Sequence, residues 1–336
     1  NLSLFIEAFD SSPGRITRED RCLQMYELTF DLSISSYLPP LLNGACVYTV
    51  PNGEVKYMQV LRITSEYRLT SIQIVPSIIK LAKPLLKRIS LPAVRNCIMG
   101  GEATQIDLLT SWRTCIPNAA IYNYYGPTES TIYCSWMEYP AGCRKQYNGM
   151  IAIGKAMNGT TLLIVGDKDE ELPAGEKGEL LIGGRQLTPG YVKNEEKNRA
   201  SFLEKTIAGR KMRFYRSGDM CYKDEEGDIF YCGRFDNQVK IQGFRVELSE
   251  IEFLVRGRFE INNVVIVSET EQGATRLVLV LEKEGKEDVG TVLTYLKDKL
   301  PEYMVPARVT IMDEFPLNTS GKIDRKRIKE MLNGSA

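Results

Sequence analysis

The sequence predicts an α/β chain laid out in three successive textures, and three observations carry that expectation. From about residue 60 to 135, apolar stretches alternate with amphipathic ones, the pattern of strands and helices that builds a parallel sheet. From about 150 to 235, short strands are separated by Gly, Asp, Asn and Pro turns, which reads as an antiparallel, barrel-like region. Roughly the last hundred residues mix helices and strands as a small α+β module does. The expected divisions are 1–150, 151–235 and 236–336.

Taken in order, LTSIQIVP (69–76) and RNCIMGG (95–101) read as buried strands. Gln105 to Ile116 sets Ile106, Leu109, Trp112 and Ile116 on one helical face. AAIYNYYG (119–126) is a further strand that runs into NYYGPTES (123–130). In open sheets of this type ligands sit at the carboxyl ends of strands, and that motif is at such an end. IAIGKA, TTLLIVG, GELLIGG and GDIFYCG are the short strands of the second texture. After GRFDNQ, ELSEIEFLV reads as a helix with an acidic first turn, and NNVVIVSETEQGATRLVLVLE as two strands around a polar loop. VLTYLKDKL is another helix, VPARVTIMDEF another strand, and a basic tail follows.

Composition excludes several chemistries. The 43 basic and 43 acidic side chains cancel, so net charge argues for neither nucleic acid nor a membrane surface as partner. There is no histidine, which removes serine–histidine hydrolysis and histidine-ligated zinc from this chain alone. The eight cysteines contain no C-x-x-C pair and read as reduced, mostly buried small hydrophobes of a cytoplasmic protein.

The motifs point to a nucleotide phosphate. In NYYGPTES an aromatic face can stack a planar base, a threonine hydroxyl and turn N–H groups can hold phosphate oxygens, and a glutamate can hold Mg²⁺. Alone, the same stretch is equally a tight Gly-Pro turn with packed tyrosines. YRSGDM (215–220) places Asp219 after a Gly turn at a strand start, where a carboxylate could take two ribose hydroxyls. PLNTSGKIDRK (316–326) sets Lys322 on an Asn/Ser/Gly loop, where a lysine is ordinarily a solvated charge.

Together these motifs are more specific. FDLS (30–33), GGEA (100–103), NYYGPTES, GELLIGG with PGY, YRSGDM, GRFDNQVKIQGFR and NTSGKIDR occur in that order over nearly the whole chain. In this the chain resembles the adenylation domains of nonribosomal peptide synthetases, within the adenylate-forming (AMP-binding) superfamily. The resemblance implies the remainder of a large adenylate-forming domain, a parallel α/β layer plus a barrel-like antiparallel region, followed by a small α+β carboxy-terminal domain. It implies that Tyr125 lies against adenine, with Asn123, Gly126 and the Gly101–Glu102 backbone nearby. Thr128 would touch the α-phosphate, Glu129 would hold Mg²⁺, Asp219 would bind the ribose and Arg234 would sit near it. Lys322 would bridge the substrate carboxylate and the α-phosphate. Asp236 would be the hinge on which the small domain turns, and the loop around Gly243 would line the path of a phosphopantetheine thiol. The family often has Arg where this chain has Gln242.

By the same resemblance Asp31 would hold the α-ammonium of an amino acid, which disfavours a plain fatty or aryl acid. The remaining pocket positions are Leu32, Ser35, Gln73, Ile98, Gly100, Tyr124, Ile132 and Tyr133. Two tyrosines and an isoleucine would fill the space of a large side chain, so glycine is expected, with alanine next. The implied activity is ATP-dependent formation of aminoacyl-AMP and transfer to the phosphopantetheine of a peptidyl carrier protein, with the need for a small accessory protein left open. The family's phosphate-binding loop should lie some forty residues before FDLS, and nothing upstream in this sequence resembles it, so the amino-terminal portion of the domain is expected to be missing. Two alternatives stand beside the adenylating enzyme: a truncated, non-catalytic remnant that binds nucleotide or a partner, and a D-alanine–carrier protein ligase.

Overall fold

The computed structural model describes residues 1–51, 55–235, 238–259, 261, 264–271, 274–283, 289–317 and 323–333. Lys322 and Asp236 lie outside the described residues. The chain divides into two compact units, Asn1–Phe235 and Asp236–Ala336.

The first unit opens with helix α1 (Leu2–Asp10) and then alternates β1 (Arg21–Gln24), α2 (Asp31–Leu42), β2 (Cys46–Thr49), α3 (Lys56–Glu66), β3 (Ser71–Ile74), α4 (Pro76–Ala82), β4 (Asn96–Met99), α5 (Ile106–Arg113), β5 (Ala120–Tyr125) and β6 (Ser135–Glu138). A short hairpin, β7 (Gln146–Tyr147) with β8 (Met150–Ile151), precedes β9 (Lys155–Ala156). The sheet order is β2-β1-β3-β4-β5-β6-β9, parallel through β5 and antiparallel at β6 and β9. Every residue of β3 and β4 is buried, as expected of strands covered on both faces.

Two local readings need correction. The helix read as reaching Ile116 ends at Arg113, where the chain tightens into i→i+3 bonds, Cys115 N–H to Trp112 O at 2.9 Å and Ile116 N–H to Arg113 O at 3.3 Å, ahead of Pro117; Ile116 is buried in the turn that follows. IAIGKA, read with the second texture, supplies β9, which pairs with β6 and so completes the first sheet.

The second sheet comprises β10 (Thr160–Val165), β11 (Gly178–Gly184), β12 (Phe202–Ile207), β13 (Arg210–Lys223) and β14 (Ile229–Arg234), with α6 (Glu195–Ser201) before β12. All pairings are antiparallel, in the order β10-β11-β13-β12 with β14 also on β13. Asp219 is in the interior of the long strand β13 rather than at a strand start. The Gly turn read before it is a kink, Gly218 at φ 69°, that the strand absorbs without ending.

The second unit begins with a hairpin of β15 (Gln238–Ile241) and β16 (Phe244–Glu247). Its two turn residues, Gln242 and Gly243, have φ of 50° and 87°, the double left-handed geometry that matches the twist of tight hairpins. Then follow α7 (Leu248–Phe259), β17 (Val264–Glu271), β18 (Ala274–Glu282), α8 (Val289–Lys299), β19 (Arg308–Met312) and α9 (Arg325–Asn333). The β17–β18 pair is antiparallel and β18–β19 parallel. Strand alternation divides this core: Val264, Ile266, Leu277 and Leu279 pack with α7 and α8, and Val265, Val267, Val278 and Val280 with Phe315 and Ile328. No helix among the described residues is long and apolar enough to cross a membrane.

Candidate functional site

The carboxyl ends of β1, β3, β4 and β5 lead into the candidate site. At the end of β5, Tyr125 is buried, and its hydroxyl donates to Asp219 Oδ2. Arg234 Nη1 donates to Asp219 Oδ1 at 2.6 Å, an ion pair enforced by the β13–β14 register that sets these two residues opposite each other. Burial, with the Asp219 charge beside it, pushes the Tyr125 phenol well above its ordinary value, so it stays a neutral donor. The structure thus joins Tyr125, Asp219 and Arg234. Asn123, also buried, donates from Nδ2 to Ala152 O at 2.9 Å.

Gly126 turns the chain from β5 into a helical turn, Thr128–Ser130. A Cβ on Gly126 would stand 2.5 Å from Ile132 O and 2.6 Å from Tyr133 Cα, so only glycine permits this backbone approach. Thr128 is exposed and Glu129 is buried. The Glu129 carboxylate accepts the Tyr191 hydroxyl at 2.6 Å, and its backbone carbonyl accepts Thr188 N–H at 2.8 Å. Burial and Glu129 raise the Tyr191 phenol. Gly101 adopts φ 81°, and the Glu102 carboxylate accepts Ser77 N–H at 2.8 Å, at the start of α4.

The expected amino-acid residues converge as well. Leu32, Ile98, Tyr124, Ile132 and Tyr133 belong to one buried cluster. Ser35 donates to Gln73 Oε1 at 2.8 Å, and Gln73 Nε2 returns a bond to Ser35 O at 2.9 Å. A Cβ on Gly100 would meet Tyr133 Cε1 at 2.9 Å. Asp31 opens α2, where a carboxylate is favoured by the helix dipole, and its charge, after burial itself, raises the Tyr133 phenol. Gly243 is in the second unit, at the turn described above.

Some of the framework escapes a reading of the sequence. Phe5 and Phe9 of α1 pack on Tyr133 and Tyr124, with ring centroids 6.3 and 5.8 Å apart, and Ser12 shares a 2.6 Å hydrogen bond with the Tyr124 hydroxyl. The apolar spacing of LSLFIEAF could have revealed the helix, though not its partner. Tyr191 and Gln186 also hold the NYYGPTES turn, and only PGY hinted at that segment. One acidic group is no metal centre: Asp224, Glu226 and Asp228 surround Lys145 Nζ, which lies 3.2 and 2.6 Å from the first two and contacts the third.

A buried tyrosine–aspartate–arginine group linking the carboxyl end of β5 to β13 and β14, beside a Gly-Pro turn and an apolar, tyrosine-filled cluster, marks the candidate site of an α/β protein. Residues 2–192 match the profile of the AMP-binding enzyme family, and the chain belongs to that family. It is 32% identical over 327 residues to a linear gramicidin synthase and 33% identical over 324 residues to tyrocidine synthase 3, both of Brevibacillus parabrevis, each match covering 96% of this chain. Among solved structures, it matches the adenylation domain AlmE of Vibrio cholerae, in complex with glycyl-adenosine-5'-phosphate, at TM-score 0.86 and 31% identity over 99% of this chain. It also matches, at TM-score 0.83, 25% identity and 96% of this chain, a nonribosomal peptide synthetase protein containing adenylation and PCP domains. The chain spans 6% and 5% of the two synthases, 62% of the AlmE chain and 56% of the adenylation–PCP protein. The resemblance carried by the motifs and the α/β fold are therefore both seen in known adenylation domains.

Proposed function

We propose that this chain is part of an amino-acid adenylating ligase that activates glycine, or another very small amino acid, as aminoacyl-AMP. Pyrophosphate leaves, and the aminoacyl group then passes to the phosphopantetheine thiol of a peptidyl carrier protein in the cytoplasm. The observation that carries the substrate reading is the packing of Tyr133 against Gly100, with Tyr124 braced behind it by Ser12 and Phe9. Rings held in this way occupy space that a side chain on the substrate would need. The glycyl adenylate bound by AlmE supports the same choice, as do the adenylation–PCP proteins among the solved structures for the carrier partner.

The chemistry is attack of an already ionised carboxylate on the α-phosphorus of ATP. It needs no side-chain base, so a chain without histidine is suited to it. Its barrier is lowered by aligning nucleophile with leaving group and placing positive charge where negative charge accumulates. Tyr125 would face the adenine and Asp219 the ribose, with Arg234 orienting the Asp219 carboxylate. Asp31 would hold the α-ammonium, and Lys322 would keep the role the resemblance implies, between the substrate carboxylate and the α-phosphate. The buried Glu129 carboxylate is a hard oxygen donor of the kind Mg²⁺ takes alongside phosphate. Glu129 would hold that ion, whose chemistry is neutralisation of phosphate charge.

Amino-acid-dependent ATP–pyrophosphate exchange tests the proposal, run on this chain and on the chain joined to the amino-terminal portion of a homologous adenylation domain. Exchange strongest with glycine supports it, whereas preference for D-alanine transfers the assignment to a D-alanine–carrier ligase. ATP binding without exchange in both proteins indicates a non-catalytic remnant.

A further inference from the structure

The turn after β5 serves both ends of the site. Thr128 and Glu129 stand at its start, and Ile132 and Tyr133, three or four residues on, belong to the amino-acid cluster. Where the first pair passes into the second the backbone is strained: Thr131 and Ile132 have φ of 59° and 74°. Both are β-branched, and such residues keep left-handed conformations only where their surroundings over-determine them.

Backbone bonds hold part of the turn, from Thr131 N–H to Thr128 O and Tyr133 N–H to Thr131 O, both 3.0 Å, and from Cys134 N–H to Tyr125 O at 2.8 Å. A buried side chain from another segment adds to them. Gln186, 3% exposed in the turn after β11, donates from Nε2 to Ser130 O at 2.9 Å and to Tyr133 O at 2.7 Å. These two carbonyls bracket the strained pair, so one rigid amide nitrogen fixes their separation. In return, the Gln186 backbone carbonyl accepts the Thr131 hydroxyl at 2.5 Å. The next residues continue the lacing through Thr188 N–H to Glu129 O at 2.8 Å and the Tyr191 hydroxyl to the Glu129 carboxylate.

We propose that Gln186 is a positioning residue that couples the phosphate end of the site to its amino-acid end. The naming of the two ends rests on the function proposed above; the clamp itself rests on the hydrogen bonds alone. A phosphate that shifts Thr128 and Glu129 must shift Ser130, and through the shared amide it must shift Tyr133. Coupling of this kind is reciprocal, so glycine and nucleotide should each tighten the other by the same factor.

The test compares the full wild-type chain with Gln186→Met, which keeps the side-chain length and removes both donors. Thr131→Val, a smaller isosteric change, serves if the Met variant does not fold. Hydrogen exchange at the amides of residues 128–134 reads the clamp, and calorimetry with glycine and a non-hydrolysable ATP analogue, separately and together, reads the coupling. Exchange should quicken at least tenfold in the Met variant and by less in Thr131→Val. The factor by which one ligand tightens the other should fall at least fivefold, while the affinity for nucleotide alone changes less than threefold. Unchanged exchange would overturn the clamp. A loosened turn with undiminished coupling would overturn its role in linking the ends. If wild-type protein, both alone and joined to the amino-terminal portion of a homologous adenylation domain, binds neither ligand, the coupling and the functional reading fall together, while exchange still decides the clamp.

Discussion

Asp219→Asn probes a group that links the two large sheets of the first unit. Asp219 is 5% exposed and uses both oxygens, one for the Tyr125 hydroxyl and one for Arg234 Nη1 at 2.6 Å. Asparagine keeps the volume but has a single acceptor oxygen, so its NH₂ must face one of the two donors. Hydrogen bonds to charged groups contribute about 1.5–3 kcal/mol each. Loss of one, with weakening of the other, should cost about 3 kcal/mol. In a unit of 235 residues, where 1 kcal/mol shifts Tm by roughly 2–4 °C, the melting point should fall by about 6–12 °C. Calorimetric melts of Asp219→Asn, Tyr125→Phe and the double variant supply the assay. Tyr125→Phe alone should cost about 1.5–3 kcal/mol, and the double variant should be less destabilised than the sum, because the two groups share one bond. A fall of less than about 2 °C, or strict additivity, would refute the reasoning by showing that the group is solvated or unconnected in solution.

Gly126→Ala should destabilise by about 1–3 kcal/mol, since the new methyl meets backbone atoms that cannot rotate away; a wild-type denaturation midpoint would count against the close approach. Asp20 supplies a pH dependence: burial pushes its carboxyl up, but bonds from Arg95, Thr70 and Thr17 and the Arg95 charge outweigh it and hold it at about 2 against an ordinary 3.8. That stabilisation, about 1–2 kcal/mol after allowing for the exposure of Arg95, is complete above the ordinary value and is lost as pH falls through about 2. Asp20→Asn should therefore lower stability at neutral pH and flatten the acid limb, and parallel limbs in the two proteins would contradict it. Asp31→Ala should raise the KM for amino acid at least tenfold more than that for ATP, and equal changes would make Asp31 structural. Lys322→Ala should abolish adenylate formation in exchange assays while ATP binding survives, and wild-type turnover would remove it from the mechanism.

Legibility differs by residue. The strands at 71–74 and 96–99 are readable because both faces are covered, which keeps their sequences free of charge and mostly apolar, with Ser71, Gln73 and Asn96 as buried polar exceptions. Helix α1 escapes notice although its Phe5 and Phe9 wall the tyrosines, because an amphipathic stretch does not announce what its apolar face covers. The second texture reads correctly as antiparallel, yet β12 and most of β13 do not stand out. Their charged residues, such as Lys205, Arg210, Lys211 and Arg213, sit on a partly solvated sheet and dilute the alternating apolar pattern.

By itself the sequence determined the classes of chemistry available: no histidine base, a Gly-Pro turn carrying Tyr, Thr and Glu, and an ordered set of motifs shared with adenylation domains. These are local, since a turn or an alternating strand is specified by residues a few positions apart. Only the tertiary structure decided which groups meet. Tyr125 and Asp219, 94 residues apart, bond because β5 ends beside β13, and Gln186 reaches Ser130 and Tyr133 across 56 and 53 residues. Packing of the two large sheets against each other, in a core that includes Tyr125, Leu180, Ile182, Tyr215 and Cys221, creates those encounters, and no sequence period records it. The strain at Thr131 and Ile132 is likewise a tertiary decision, held in place by contacts from a different part of the chain.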